Sequence, residues 1–175
     1  MDISKEQIIH WAYLADGSWR LVVAATERGL CYVGSQEQDV SELANWAQRK
    51  FKNYRLEQNE EILQPYLQQL KEYLWGQRVS FTVPLDLRGT PFQLAVWTVM
   101  NDIPYGQTVS YQELAQRLLK PTAIRAVGSA IGKNPALIIA PCHRIIGKSG
   151  RLTGYRGGIE MKEALLRLER SGSGT

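Results

Sequence analysis

The chain has 175 residues, 44% of them hydrophobic, and a formal net charge of +4. That length allows one large domain or two small ones; no apolar run is long enough to span a membrane, and MDISKEQIIHW lacks the order of a signal peptide. Two cysteines far apart in sequence argue against a disulfide framework and for free thiols in a reducing cytoplasm.

The first third reads as strands. IIHWAYL, SWRLVVAAT and LCYVGS are apolar or alternating runs, joined by Asp16-Gly17 and by Glu27-Arg28-Gly29. Helical patterns follow at about 39–51 and 59–75, with Gly76 placed to end the second. VSFTVPL then reads as one more strand with Pro84 at its edge, and LDLRG as a linker. The second half is mostly helical. Thr90 and Pro91 open a helix whose predicted apolar face is Phe92, Ala95, Val96, Val99 and Ile103. IPYG breaks the chain, and Ser110 with Glu113 forms a capping box over SYQELAQRLL. After Lys120-Pro121-Thr122 comes a second short helix, AIRAVGSAIG, so the pair resembles a helix-turn-helix. That second helix is nearly bare of bulk, with Arg125 its only long polar side chain. Such a helix is built either for close packing or for close approach to a partner. A last helix, GIEMKEALLRLER, is expected to bury Leu165, Leu166 and Leu168, with Glu169 beside that face.

Charge is unevenly placed. Residues 1–90 carry 10 Lys/Arg against 12 Asp/Glu, and residues 91–175 carry 11 against 5. No acid occurs from Leu114 to Ile159, a stretch holding Arg117, Lys120, Arg125, Lys133, Arg144, Lys148, Arg151 and Arg156. A solubilising surface mixes signs, whereas an acid-free basic run suits a phosphate backbone.

The two cysteines differ in setting. Cys31 lies within a predicted strand and reads as an inert apolar filler. Cys142 lies between Pro141 and His143-Arg144, inside the basic stretch, where positive surroundings are expected to lower a thiol pKa. In an extended segment neighbouring side chains point apart, so His143 would reach Cys142 only through a water or a turn. Glu169 is a candidate to orient His143.

These motifs carry a resemblance. PCHRII, followed by GYRGGIEMKEALLRLE and preceded by IPYGQTVSYQELA and RAVGSAIGKNP, resembles the 6-O-alkylguanine-DNA alkyltransferases from about Gly89 to Glu169. The resemblance implies an α+β protein. A ribonuclease-H-like α/β domain (1–88) would precede a mostly helical winged-helix/helix-turn-helix-like domain (89–170), with 171–175 an appended tail. It implies single-turnover repair of 6-O-alkylguanine, and of 4-O-alkylthymine as a further substrate, by alkyl transfer to Cys142. His143 would then be a water-mediated base oriented by Glu169, Asn134 would shape the reactive turn, and Tyr111 would protonate the leaving base. Arg125 would fill the gap left by the flipped nucleotide. Tyr111, Gln112, Lys120, Ala126, Gly128 and Lys148 would join it at the minor groove of duplex DNA. Ile145, Tyr155, Arg156 and Gly157 would wall the pocket, where the carbonyls of Cys142 and Ile145 would meet the guanine amino group. Leu137, Thr153 and Gly154 would stand near it, and Gly154 would leave it wide enough for benzylguanine. The protein is expected to act as a monomer without a cofactor. With only His10 and Cys31 in the N-terminal half, no metal is expected.

Two other readings differ in their chemistry. A non-transferring lesion sensor would lack Cys142, and a cysteine hydrolase would need a histidine touching Cys142 directly.

Overall fold

The computed structural model describes residues 5–172, which divide into two compact units between Arg88 and Gly89. In the first unit, β1 (Gln7–Asp16), β2 (Trp19–Thr26) and β3 (Gly29–Val33) form an antiparallel meander. Gly17, at φ +58°, makes the tight turn that Asp16-Gly17 announces, pairing Asp16 with Trp19. Gly29 is obligatory. A Cβ there would lie 2.5 Å from the carbonyl oxygen of Pro84.

Helix α1 (Val40–Lys50) leads to β4 (Tyr54–Gln58), which joins β1 in parallel and gives the order β3-β2-β1-β4. This strand is absent from the sequence reading. Tyr-Arg-Leu-Glu-Gln is a polar edge with no strong alternation, and its pairing with β1 is non-local. Leu21 to Thr26 of β2 are buried, as expected of a strand covered on both faces. Val22 and Ala24 join Ile9, Tyr32, Leu43 and Trp46 on the α1 side. Helix α2 (Glu60–Leu74) packs on β1 and β2 through Leu63, Leu67, Leu70 and Tyr73. Asp39 and Asn59 cap the two helices by accepting from the Ser41 and Ile62 amides.

VSFTVPL does not form the expected strand. Thr82 N donates to the Gln69 side chain, the Arg78 guanidinium reaches Ser80 O, and only Leu85 bridges to Leu30. Side chains take Thr82 N and Ser80 O, and the one backbone tie to β3 is Leu30 N donating to Pro84 O. The LDLRG segment is also tied down in part: Asp86 N donates to Leu30 O, and Asp86 Oδ2 accepts from Thr26 Oγ1 at 2.6 Å.

The second unit begins with α3 (Pro91–Met100), capped by Thr90 in a full capping box with Gln93. Its buried face is Val96, Trp97 and Met100, continued by Ile103, while Ala95 is exposed. Trp97 moves the face by one position, since its indole Nε1 donates to Ala130 O at 2.9 Å. Strand β5 (Val109–Ser110) pairs in parallel with β6 (Ile145–Ile146). Helices α4 (Tyr111–Arg117) and α5 (Ile124–Gly132) form the helix-turn-helix, and Ser110 and Glu113 cap α4 reciprocally. In α6 (Ile159–Gly172) Leu165 and Leu166 are buried and Leu168 half-buried. This helix includes Ser171 and Gly172, placed in the tail by the sequence reading. Ser171 Oγ donates to Arg167 O, and Gly172 lies against Tyr105, so the helix runs two residues further. The rest of that tail lies outside the described residues.

Candidate active site

The parallel pairing of Val109 with Ile145 and Ser110 with Ile146 brings the start of α4 beside the segment that carries Cys142. That segment is not extended. Pro141 turns the chain (φ −82°, ψ 60°) and Cys142–Arg144 forms one turn of 3-10 helix. Arg144 N donates to Pro141 O, and the amide of Ile145 donates to Cys142 O. A proline cannot donate its own nitrogen and sets φ, so Pro-Cys-His-Arg closes locally into this turn.

The turn sends one side chain to Asn134 and two to Glu169. Cys142, 3% exposed, accepts at Sγ from Asn134 Nδ2 at 3.2 Å. Asn134 is itself buried: Oδ1 accepts from Ala136 N, which directs Nδ2 toward the sulfur and toward Ala140 O. His143, fully buried, donates from Nε2 to Glu169 Oε1 at 2.7 Å. Arg144 donates to both Glu169 oxygens from Nε and to Oε1 from Nη2 at 2.8 Å, while its Nη1 donates to Ile103 O. Gly106 N also donates to Glu169 Oε2. One carboxylate therefore holds an imidazole, a guanidinium and a loop amide, which is how a charge can stay buried.

Burial pushes the Cys142 thiol above its ordinary pKa; the Asn134 hydrogen bond and the positive charges of Arg156 and Lys162 pull the other way without overcoming it. The expected lowering is thus reversed, because the basic residues lie near the sulfur but so does a dry apolar wall. Burial likewise lowers the His143 pKa, against the pull of Glu169. Both shifts favour a resting pair of neutral thiol and neutral imidazole.

Arg144 and Lys162 are absent from the site residues assigned by sequence. Arg144 counted only as one of a basic run, yet it is buried on Glu169. Lys162 is buried within α6, with Nζ donating to Ile145 O and Thr153 O. A lysine on an amphipathic helix ordinarily reads as solvated, and nothing local marked this one. The carbonyls of Cys142 and Ile145 each already accept one hydrogen bond, from Ile145 N and Lys162 Nζ, so a guanine amino group would use a remaining lone pair.

The 147–157 loop folds back over the turn. Arg156 donates to Asn134 O and Pro135 O, and Thr153 Oγ1 donates to Tyr111 Oη at 3.1 Å. Burial raises the Tyr155 phenol well above its ordinary pKa, with Cys142 adding to the shift. Gly157 fits only without a side chain, since a Cβ would lie 2.5 Å from Met161 Sδ and 2.8 Å from the Tyr155 ring. Gly154 has open space beside it.

The DNA-facing candidates lie elsewhere, on the surface. Gln112, Lys120, Arg125, Ala126 and Lys148 are exposed, and Gly128 is half-buried, near the ring of Tyr111. Ser129 and Gly132 are exposed on α5 as well, while Val127, Ala130 and Ile131 face inward. Of the acid-free stretch, Arg117, Lys120, Arg125, Lys133, Lys148 and Arg151 are exposed, and Arg144 and Arg156 turn in. Among the described residues no three of His, Cys, Asp and Glu gather as a metal site requires, and no helix is long and apolar enough to cross a membrane.

Cys31 is the control. Fully buried in β3, its thiol is pushed far up by burial first and by Asp86 second. A raised folded pKa contributes stability below the unfolded value, and that contribution is lost as pH climbs toward the folded one. Relative to Cys31→Ala, the parent protein should therefore lose roughly 1 kcal/mol per pH unit above about pH 8.5 in urea unfolding. Parallel profiles for the two proteins would show that the Cys31 thiol does not sense its burial.

Two family matches cover most of the chain: 6-O-methylguanine DNA methyltransferase, ribonuclease-like domain, over residues 9–87, and the DNA binding domain of the same family over residues 91–171. The inducible methylated-DNA–protein-cysteine methyltransferase of Bacillus subtilis is 50% identical over 165 residues, covering 94% of this chain and 92% of that protein. The methylated-DNA–protein-cysteine methyltransferase of Methanosarcina acetivorans is 41% identical over 155 residues, covering 86% and 92%. Among solved structures, that of Mycobacterium tuberculosis OGT in complex with DNA superposes with a TM-score of 0.76 at 39% identity, covering 94% of each chain.

Proposed function

This chain belongs to the 6-O-methylguanine-DNA methyltransferase family, and from that premise we propose how its residues perform the transfer. It is a methylated-DNA–protein-cysteine methyltransferase: it binds DNA and repairs 6-O-alkylguanine. Cys142 is the acceptor. The observation that carries this reading is the 3-10 turn that sets the Cys142 sulfur against Asn134 Nδ2 and, one residue on, His143 against Glu169.

Glu169 holds Nε2 of His143, so Nδ1 accepts the Cys142 proton, through a water because the two side chains leave the turn in different directions. Glu169 stabilises the imidazolium that results, and Asn134 stabilises the thiolate. The thiolate attacks the alkyl carbon, a carbon–sulfur bond forms, and the carbon–oxygen bond to guanine breaks with its electron pair on the purine. Tyr111 supplies a proton to the leaving ring. The product is a thioether without an acyl carbon for water to attack, so each molecule acts once. Tyr155, Arg156, Gly157 and the Ile145 carbonyl wall the pocket, and the space beside Gly154 admits groups as large as benzyl.

The target base must leave the duplex to reach a sulfur this buried. Helix α5 approaches the minor groove through Ala126, Ser129 and Gly132, whose short side chains let the backbone come close, and Arg125 enters the stack. Gln112, Lys120, Gly128 and Lys148 flank it against the phosphates. A free Cys142 thiol suits a reducing compartment. Arg125→Ala tests the stack entry. Repair of duplex DNA should fall about a hundredfold, while reaction with free 6-O-benzylguanine stays near the parent rate. Equal losses on both substrates would place Arg125 in the fold or the pocket instead.

A further inference from the structure

The N-terminal unit carries more acid than base, yet its charges are sorted. A cleft of about 690 Å³ opens where β1 begins, where the β2–β3 turn folds back and where α1 ends. Lys5, Arg28, Lys50, Lys52 and Arg88 line it, against Glu6 and Glu27. Half of the ten cations of residues 1–90 thus meet at a cleft that has two of their twelve acids.

Ion pairing does not account for the gathering. Glu6 pairs with Arg55 at 3.8 Å and Arg88 with Asp86 at 3.1 Å. Among the described residues, Lys5, Arg28, Lys50 and Lys52 have no carboxylate partner. Lys50 also offsets the C-terminal carbonyls of α1, but Lys5, Arg28 and Lys52 lie outside any helix. The Arg88 guanidinium is stacked on the Phe51 ring, 4.5 Å from its centroid, and its buried Nε makes no hydrogen bond among the described residues. Like charges held together repel, so the arrangement is stabilised by an anion. The cations come from four separate segments and spread along an open cleft; a site for one small anion would enclose it and converge on it.

We propose that this cleft binds phosphates of the DNA backbone, as a second contact outside the alkyl-transfer pocket. The inference rests on the chain's DNA binding and not on the roles of Cys142 or Arg125. The test compares Lys50→Gln/Lys52→Gln, both exposed, with Arg20→Gln/Lys71→Gln, which removes equal charge elsewhere in the unit. Binding to a long undamaged duplex is titrated against salt. The cleft variant should bind about tenfold more weakly, with a plot of log affinity against log salt shallower by about 2. The control should keep the parent slope. Equal losses in both variants would mean bulk charge alone, and no loss in either would mean no contact; both outcomes overturn the proposal. So does parent protein that binds inorganic pyrophosphate in the cleft while its duplex affinity ignores the variant. Both variants should alkylate Cys142 with free 6-O-benzylguanine at the parent rate. Failure of that reaction in the parent protein itself would instead strike the roles assigned to Cys142 and His143.

Discussion

Mixed with duplex DNA containing 6-O-methylguanine, the protein should gain one methyl group per molecule, on the peptide carrying Cys142, and Cys142→Ala should gain none. The loss is expected to be complete, because no other group in the site can form the bond. Asn134 has only amide atoms near the sulfur, and the neutral His143 ring is held by Glu169. The variant should remain folded: Asn134 Nδ2 keeps Ala140 O at 2.8 Å when the sulfur is gone. Cys31 should stay unlabelled, since it is fully buried and its thiolate is strongly disfavoured. Intact mass, peptide mapping and a titration of lesion against protein check all of this. Methyl on Cys31, or repair of more lesions than protein molecules, would sink the assignment. A rise in the rate with free benzylguanine at alkaline pH should accompany it, because the raised Cys142 pKa leaves little thiolate at neutrality.

Glu169→Gln should have the second largest effect, and on two quantities at once. The carboxylate is 1% exposed and accepts from His143, Arg144 and Gly106. A glutamine keeps the shape but leaves the Arg144 charge buried without its counter-ion, which costs roughly 3 kcal/mol or more. It also withdraws the negative charge that stabilises an imidazolium on His143, so alkylation of Cys142 should slow by about a hundredfold. The two effects can be separated. Arg144→Met should lower stability while leaving His143 its carboxylate, so its folded fraction should retain most of the alkylation rate. Unfolding curves and single-turnover labelling supply the two readouts. If Glu169→Gln labels at the parent rate when folded, Glu169 is a structural counter-ion and His143 works without it.

Several features were legible in the chain because their causes lie within a few residues of one another. Ser110 with Glu113, Thr90 with Pro91, and Asp16 with Gly17 form caps and a turn from local hydrogen bonds and local torsions. Pro141-Cys142-His143-Arg144 closes into a local turn, and most cations of the acid-free run are exposed. The last helix offered Glu169, beside its apolar face, as the acid to orient His143, and the resemblance of ordered motifs pointed to the same pair, 26 residues apart.

Other features required the folded molecule. Residues 54–58 form a strand only because β1 offers an edge, and residues 79–85 reach the sheet only at Pro84 and Leu85, while Gln69 and Arg78 take Thr82 N and Ser80 O. Arg144 counted as one of a basic run and Lys162 drew no notice, yet both are buried. The sign of the Cys142 shift also turned on packing. Sequence lists the charges near a sulfur, but the dielectric around it is set by chains of distant origin: Asn134 from the end of α5, the loop that carries Arg156, and α6 with Lys162. Local torsions and caps are properties of a segment. Burial belongs to the whole fold, and burial decides here which groups keep their protons.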